Sequence, residues 1–283
     1  MQQIIFVTGK GGVGKSTYAA ALAQKYALQG KKTLLVELGD QSFYQEFFSL
    51  PELKYQPQEL AQNLDVALWS GAECLKEYAL YLLKSEVLYK LFFENKVSKA
   101  LINIAPALPE LAILGKITAG PRKHGPPVTH DVIVVDGYAT GHFLALLKAP
   151  LGMSEVIKFG PMGEQSRSIF KTIRDKNICQ YHVVTLAEEL PYVESLELCS
   201  ELETITEITP KLVFNRILKT SLKAEDLQGE GADFQKFLKQ VLINQEDYLG
   251  QAKHQKYGHQ KLELLNNKDP FAFIEELGKG IEL

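Results

Sequence analysis

The 283-residue sequence predicts an α/β fold, a doubly wound and mostly parallel sheet with helices on both faces, on three observations. Short apolar runs rich in β-branched residues recur along the chain, each followed by a helical pattern. A glycine-rich loop, "GKGGVGKST" (Gly9–Thr17), separates the first run from the first helix. No uninterrupted apolar stretch reaches the length of a membrane span, so no integral membrane segment is expected.

The elements follow in order. "IIFVTG" (Ile4–Gly9) reads as a buried parallel strand, because a strand covered on both faces is apolar throughout. "KSTYAAALAQKYALQG" places Ala and Leu at helical spacing and ends on Gly30, a helix stop. "KKTLLVELG" (Lys31–Gly39) supplies a second strand, which completes a βαβ unit. From about Pro57 to Lys116 the chain turns Leu-, Ala- and Lys-rich without alternation, and a helical insertion on the sheet is expected over 57–116. "AGPRKHGPPVTH" (Ala119–His130) closes it with a Pro/Gly turn. "DVIVVDGYATGHFLALLKAP" (Asp131–Pro150) reads as strand, glycine-containing turn and helix. "YHVVTLAEELPYVESLELCSEL" (Tyr181–Leu202) repeats strand then helix, and "KLVFNRIL" (Lys211–Leu218) is another strand. A short strand is expected near Leu262–Leu265 and a last helix from Pro270, all within one domain over 1–283.

Composition narrows the function. Hydrophobic content of 46% with 23% charged residues is that of a globular chain with a sizeable core. A formal charge of -3 with scattered Lys and Arg offers no footprint for nucleic acid and no polybasic membrane anchor. Cys74, Cys179 and Cys199 lie far apart, which argues against a disulfide framework or a one-chain metal site and for small buried side chains in a reducing compartment. The N-terminus runs directly into a strand without a signal-peptide pattern, so a cytoplasmic protein is expected.

The loop carries the chemistry. Gly9–Ser16 fits G-x-x-x-x-G-K-[ST] at every position and lies between a strand and a helix, the context the phosphate-binding loop requires. Backbone N–H groups of Gly9, Lys10, Gly11, Gly12, Val13, Gly14, Lys15, Ser16 and Thr17 converge there on a phosphate, helped by the helix dipole. Lys15 is expected to reach the β- and γ-phosphates, and the Ser16 hydroxyl to bind Mg²⁺. Asp136, at the end of "VIVV", is the candidate for the carboxylate that holds the magnesium's water shell.

These residues resemble a known family. The loop is similar to the deviant Walker A loop of the ParA, MinD, nitrogenase-iron-protein and arsenite-pump group of P-loop NTPases. "DGYATGHFLALLKAP" (Asp136–Pro150) resembles the Walker B region of the arsenite-pump and tail-anchored-protein-targeting ATPases, keeping Asp136, Thr140, Gly141, His142 and Pro150. "VTLAEELPYVESLEL" (Val184–Leu198) and "LVFNRIL" resemble two further segments. The resemblance implies an ATP- and Mg²⁺-dependent homodimeric switch with a protein or small-molecule client. It assigns Lys10 as a signature lysine crossing to the partner's nucleotide, where a cation offsets charge on the transferring phosphoryl group. It also assigns Asn215 to the adenine edge.

The chain departs from that pattern. Where the family carries a water-orienting Asp after the second strand, this chain has Gly39, with Asp40 one position later and Glu37 two earlier. Asp40 is the candidate catalytic carboxylate through a register shift; otherwise hydrolysis is slow, differently organised or absent. Gly137, Tyr138 and Ala139 replace the usual T-A-P. The methionine-rich groove, the C-x-x-C clamp and the cysteine cluster of specialised relatives are missing. Two alternatives stand beside the dimeric switch: a non-hydrolysing nucleotide-binding partner protein, and a ParA/MinD-type positioning ATPase, which the acidic tail "DPFAFIEELGKGIEL" opposes.

Overall fold

A computed structural model describes residues 2–84, 107–126, 128–221 and 233–283. Its centre is an eight-stranded sheet in the order β3-β4-β2-β5-β1-β6-β7-β8. The strands are β1 (Gln3–Gly9), β2 (Thr33–Leu38), β3 (Gln58–Ala61), β4 (Leu64–Trp69), β5 (Val132–Ala139), β6 (Cys179–Thr185), β7 (Lys211–Ile217) and β8 (His259–Glu263). Only the β3–β4 pair is antiparallel. Chain order reverses about β1, which has β5 on one side and β6 on the other; ligands in such sheets bind beyond the strand C-termini at this point.

Alternation along β1 shows why both faces need cover. Ile4 and Phe6 point into one core, with Leu146, Leu147, Tyr192 and Leu198, while Ile5 and Val7 point into the other. The second core is closed by α1 (Lys15–Leu28), through Tyr18 and Leu22, and by α10 (Pro270–Lys279), through Ile274 and Leu277. The tail's apolar face is therefore buried against the sheet's own helix. Phe6 stacks on Tyr181 with ring centroids 5.2 Å apart, so Phe6→Ala would open a void costing about 3–5 kcal/mol.

A buried polar chain ties α1 to the end of the sheet. Tyr18 Oη lies 2.7 Å from His182 Nδ1 and accepts from Gln260 Nε2 at 2.9 Å, while Gln260 Oε1 accepts from the Glu282 backbone N–H at 2.8 Å. Burial drives the His182 imidazole down to about 3, so it stays neutral.

Three local expectations need correction. The insertion expected over 57–116 does not begin as helix: 58–69 form β3 and β4, and "LDVALW" pairs with β2 in register from Thr33↔Leu64 to Leu38↔Trp69. Helix starts only at α3 (Gly71–Leu83), capped by the Ser70 hydroxyl, and resumes at α4 (Leu108–Ile117); positions 85–106 lie outside the described residues. The turn expected over 119–130 begins as a short helix, α5 (Ala119–Arg122). No turn separates β5 from α6 (Thr140–Val156), because Gly141 already lies inside the helix. Buried Lys116 ion-pairs with Glu77 and sits 4.4 Å over the Tyr55 ring and 4.7 Å over Trp69, pinning α3 and α4 to β4. Helices α7 (Pro161–Ile173), α8 (Glu189–Thr206), α9 (Asp233–Ala252) and the short α2 (Phe43–Phe47) complete the layers. Among the described residues no helix is long and apolar enough to cross a membrane, and all three cysteines are free and buried.

Candidate phosphate and magnesium site

The loop leaves β1 and delivers the chain into α1 with its donors unengaged. The first residue before the helix, Gly14, has φ 89 and ψ 32, no side chain caps the N-terminus, and no acidic residue occupies the first turn. An anion is the natural partner for such an end. A side chain at position 14 is excluded twice over: the left-handed backbone disfavours it, and a Cβ would lie 2.3 Å from Asn215 Nδ2. Asn215 itself is buried and donates to the Val13 carbonyl at 2.9 Å, so this side chain braces the loop from beneath. Thr17 Oγ1 donates to the Gly14 carbonyl at 2.9 Å.

Lys15 folds back along the loop, its Nζ donating to the Lys10 carbonyl at 3.1 Å. Burial lowers its pKa and the charge of Asp136 partly restores it, as expected for an ammonium awaiting a stronger counter-charge.

The carboxylate side of the site is denser than the sequence reading proposed. Asp136 sits within β5, three residues before its end, beside Val7 on β1 and in register with Glu37 on β2, and both acids are about 6% exposed. Burial pushes the Asp136 carboxyl up to about 6, with the Glu37 charge adding to the rise and the Ser16 hydroxyl, Lys15 and Tyr44 opposing it. Glu37 is raised by burial too; it accepts from Ser42 Oγ at 2.5 Å and from the Phe43 and Tyr44 N–H groups at 2.6 and 3.4 Å. Fully buried Tyr44 donates to the Ser16 carbonyl at 2.9 Å and lies near Asp136, so α2 is tied to one expected magnesium residue and sits beside the other.

The residues present fit magnesium and a nucleotide phosphate. Among the described residues no group of three or more acids, His or Cys could cage a metal unaided. One hydroxyl and one carboxylate beside a phosphate loop are the donors magnesium uses when phosphates complete its shell.

Comparisons with known proteins give the family. The family described as anion-transporting ATPase matches residues 2–161, more than half of the chain. The chain belongs to the anion-transporting ATPase family. It is 33% identical over 230 residues to ATPase BagA of Mycobacterium tuberculosis (strain ATCC 25618 / H37Rv), a match covering 78% of this chain and 67% of that protein. It is 32% identical over 155 residues to the ATPase ASNA1 homolog of Cryptosporidium parvum (strain Iowa II), covering 52% and 37%.

In this member of the family the other expected site residues lie as follows. Lys10 pairs inside its own chain, its Nζ 2.6 Å from Glu194 Oε1 on α8, with both side chains about one-third exposed. Asp40 is exposed on the loop after β2 and acts electrostatically on Tyr138 rather than on the buried acids. Gly39 has φ 149, a conformation L-residues rarely adopt, so the backbone here does not readily accept the family's Asp. Gly137 is equally constrained, since a Cβ there would lie 2.8 Å from the Val7 carbonyl oxygen.

Two residues of the site, Tyr44 and Glu194, escaped the sequence reading, and Glu37 was named there only by its distance from Gly39. An acid inside the apolar run "TLLVEL" marked Glu37, since a charge is rarely buried in a strand without a partner. Tyr44 is hidden in the aromatic run "FYQEFF", and Glu194 in a helix rich in acids.

Proposed function

We propose that the protein is a Mg²⁺-dependent ATP-binding and ATP-hydrolysing switch that works as a homodimer across the nucleotide site, in a reducing cytoplasmic compartment. The observation that carries this reading is the juxtaposition of an uncapped, glycine-entered helix N-terminus and Lys15 with the hydroxyl of Ser16 and buried Asp136. In this reading the loop amides and Lys15 bind the phosphates, and Ser16 and Asp136 hold the metal and its water. A magnesium ion, when bound, offsets charge on the β- and γ-phosphate oxygens. Tyr44 holds the Ser16 backbone beside Asp136, and Glu37 holds Tyr44 by accepting from the first N–H groups of α2. Lys10 leaves Glu194 and serves the partner's nucleotide; the partly exposed pair costs little to break. Asn215 keeps the loop in shape and, by resemblance, faces the adenine. The helical segment around α3 and α4 receives the client.

Calorimetry with Mg²⁺-ATP tests the reading. Lys15→Ala should weaken binding at least tenfold, and unchanged affinity would overturn the assignment. Gly39 and the exposed Asp40 also favour a second reading, a nucleotide-binding partner protein that does not hydrolyse. Steady-state phosphate release separates the two: turnover lost in Asp40→Asn assigns the water to Asp40, and no turnover in wild type supports the partner protein.

A further inference from the structure

Away from the phosphate loop, α3, α4, α5 and α7 enclose a cavity of about 360 Å³. That size lies within the range of small-molecule pockets, about 300–1,000 Å³. Its wall is apolar, with Leu75, Leu111, Met162 and Ile169, and its polar groups gather around Arg122, His124 and Gln165. Among the described residues none that lines it is acidic.

Arg122 is unusual in its surroundings. Its Nε donates to Thr118 Oγ1 at 2.8 Å, and its two terminal nitrogens donate to Gln165 Oε1 at 2.6 Å and the Gly115 carbonyl at 2.8 Å. These acceptors are all neutral, and among the described residues no carboxylate pairs with it. A guanidinium has five N–H donors, so the three acceptors fix its plane and leave donors over. Burial pulls its pKa down to about 10, as expected for a cation short of counter-charge. Beside it His124 Nε2 lies 3.2 Å from Tyr78 Oη, and burial with the Arg122 charge keeps the imidazole neutral.

We propose that this cavity binds a small monoanionic amphiphile, an aliphatic carboxylate whose chain lies against Leu75, Leu111 and Ile169 and whose head pairs with Arg122. Among the described residues no acid of the wall offers a partner to a cationic or zwitterionic head, and a guanidinium fork matches a carboxylate in two parallel hydrogen bonds. The inference extends the reading that this segment receives the client, but it needs neither ATP nor turnover.

The test uses the full chain without nucleotide and two probes of equal length, decanoate and decan-1-ol, titrated by calorimetry. Decanoate should bind at least tenfold tighter than the alcohol. Arg122→Gln should remove that difference and leave alcohol binding within about twofold. Arg122→Lys, which keeps the charge, should retain most of the preference and guards against loss of fold in the Gln variant. Ala112→Phe, which fills the cavity, should abolish both. No binding of either probe to wild type overturns the proposal. So does decanoate binding indifferent to Arg122→Gln and Ala112→Phe. ATP affinity measured on the same variants should stay at the wild-type value, so failure at the nucleotide site is read separately.

Discussion

Gly14 and Asn215 offer the sharpest test of how the phosphate loop is built. An alanine at position 14 meets two obstacles. Holding an L-residue in the left-handed region costs about 1–2 kcal/mol, and the backbone there is at φ 89. The added Cβ, 2.3 Å from Asn215 Nδ2, also forces that amide off the Val13 carbonyl, leaving a buried acceptor unmet at about 1–3 kcal/mol. Gly14→Ala should therefore destabilise by about 2–5 kcal/mol. Asn215→Ala alone should cost about 1–3 kcal/mol, through the same lost hydrogen bond. The two losses are not independent, since the first substitution already breaks what the second removes. The double variant should fall short of the sum by about 1–3 kcal/mol, read from urea unfolding of the four proteins without nucleotide. Additivity within about 0.5 kcal/mol would refute the claim that Asn215 braces the loop.

Three further outcomes follow from the site. The Asp136 carboxyl, at about 6 in the fold against an ordinary 3.8, contributes stability that is complete below 3.8 and lost as pH rises through 6. The shift is worth about 3 kcal/mol, so Asp136→Asn should stabilise the nucleotide-free protein by up to that amount at pH 8 and by almost nothing at pH 3.5. An equal effect at both pH values in denaturant titrations would contradict the burial argument. Tyr44→Phe should cost about 1 kcal/mol of stability and raise the Mg²⁺ concentration needed for half-maximal turnover severalfold, with metal-free nucleotide affinity unchanged. If only stability moves, Tyr44 does not position the metal residues. Lys10→Ala should unfold within about 1 kcal/mol of wild type, because its ion pair is only partly buried. Mixing it with Lys15→Ala chains should restore part of the lost turnover, and a fully active Lys10→Ala monomer would rule out a shared site.

Much of this was readable because it is local. The β1–α1–β2 unit rests on β-branched runs, an alanine-rich helix and a fixed glycine spacing, each of which acts within a few residues. β4 was not readable: its Leu and Ala suit either state, and only pairing with β2 decides for strand. The site divides in the same way. Gly9 to Ser16 announce themselves by spacing, and Asp136 by its place after an apolar run. The Glu37–Asp136 pairing depends on β5 inserting between β1 and β2, and the Lys10–Glu194 contact on a helix 184 residues further on. No window of sequence holds such information. Gly39 lies between: its identity was visible as a departure, and its reason, a backbone angle, was not.

The polar chain from Tyr18 through Gln260 to the Glu282 amide has a consequence for the thermodynamics of phosphate capture. It bolts α1 to strand β8 and to the segment after α10, and the helix is packed between sheet and α10 along its length. The helix that receives the phosphate is thus already immobile before a ligand arrives. What remains to be ordered is confined to the exposed stretch at Gly11 and Gly12 and to two lysine side chains. The entropy lost on binding should then be that of a few residues, about 1–2 kcal/mol for each backbone unit fixed, rather than that of a folding helix. Amide exchange in α1 should already be limited by global unfolding in the empty protein, so that ligand slows it only by the gain in global stability, while protection beyond that gain is limited to the loop.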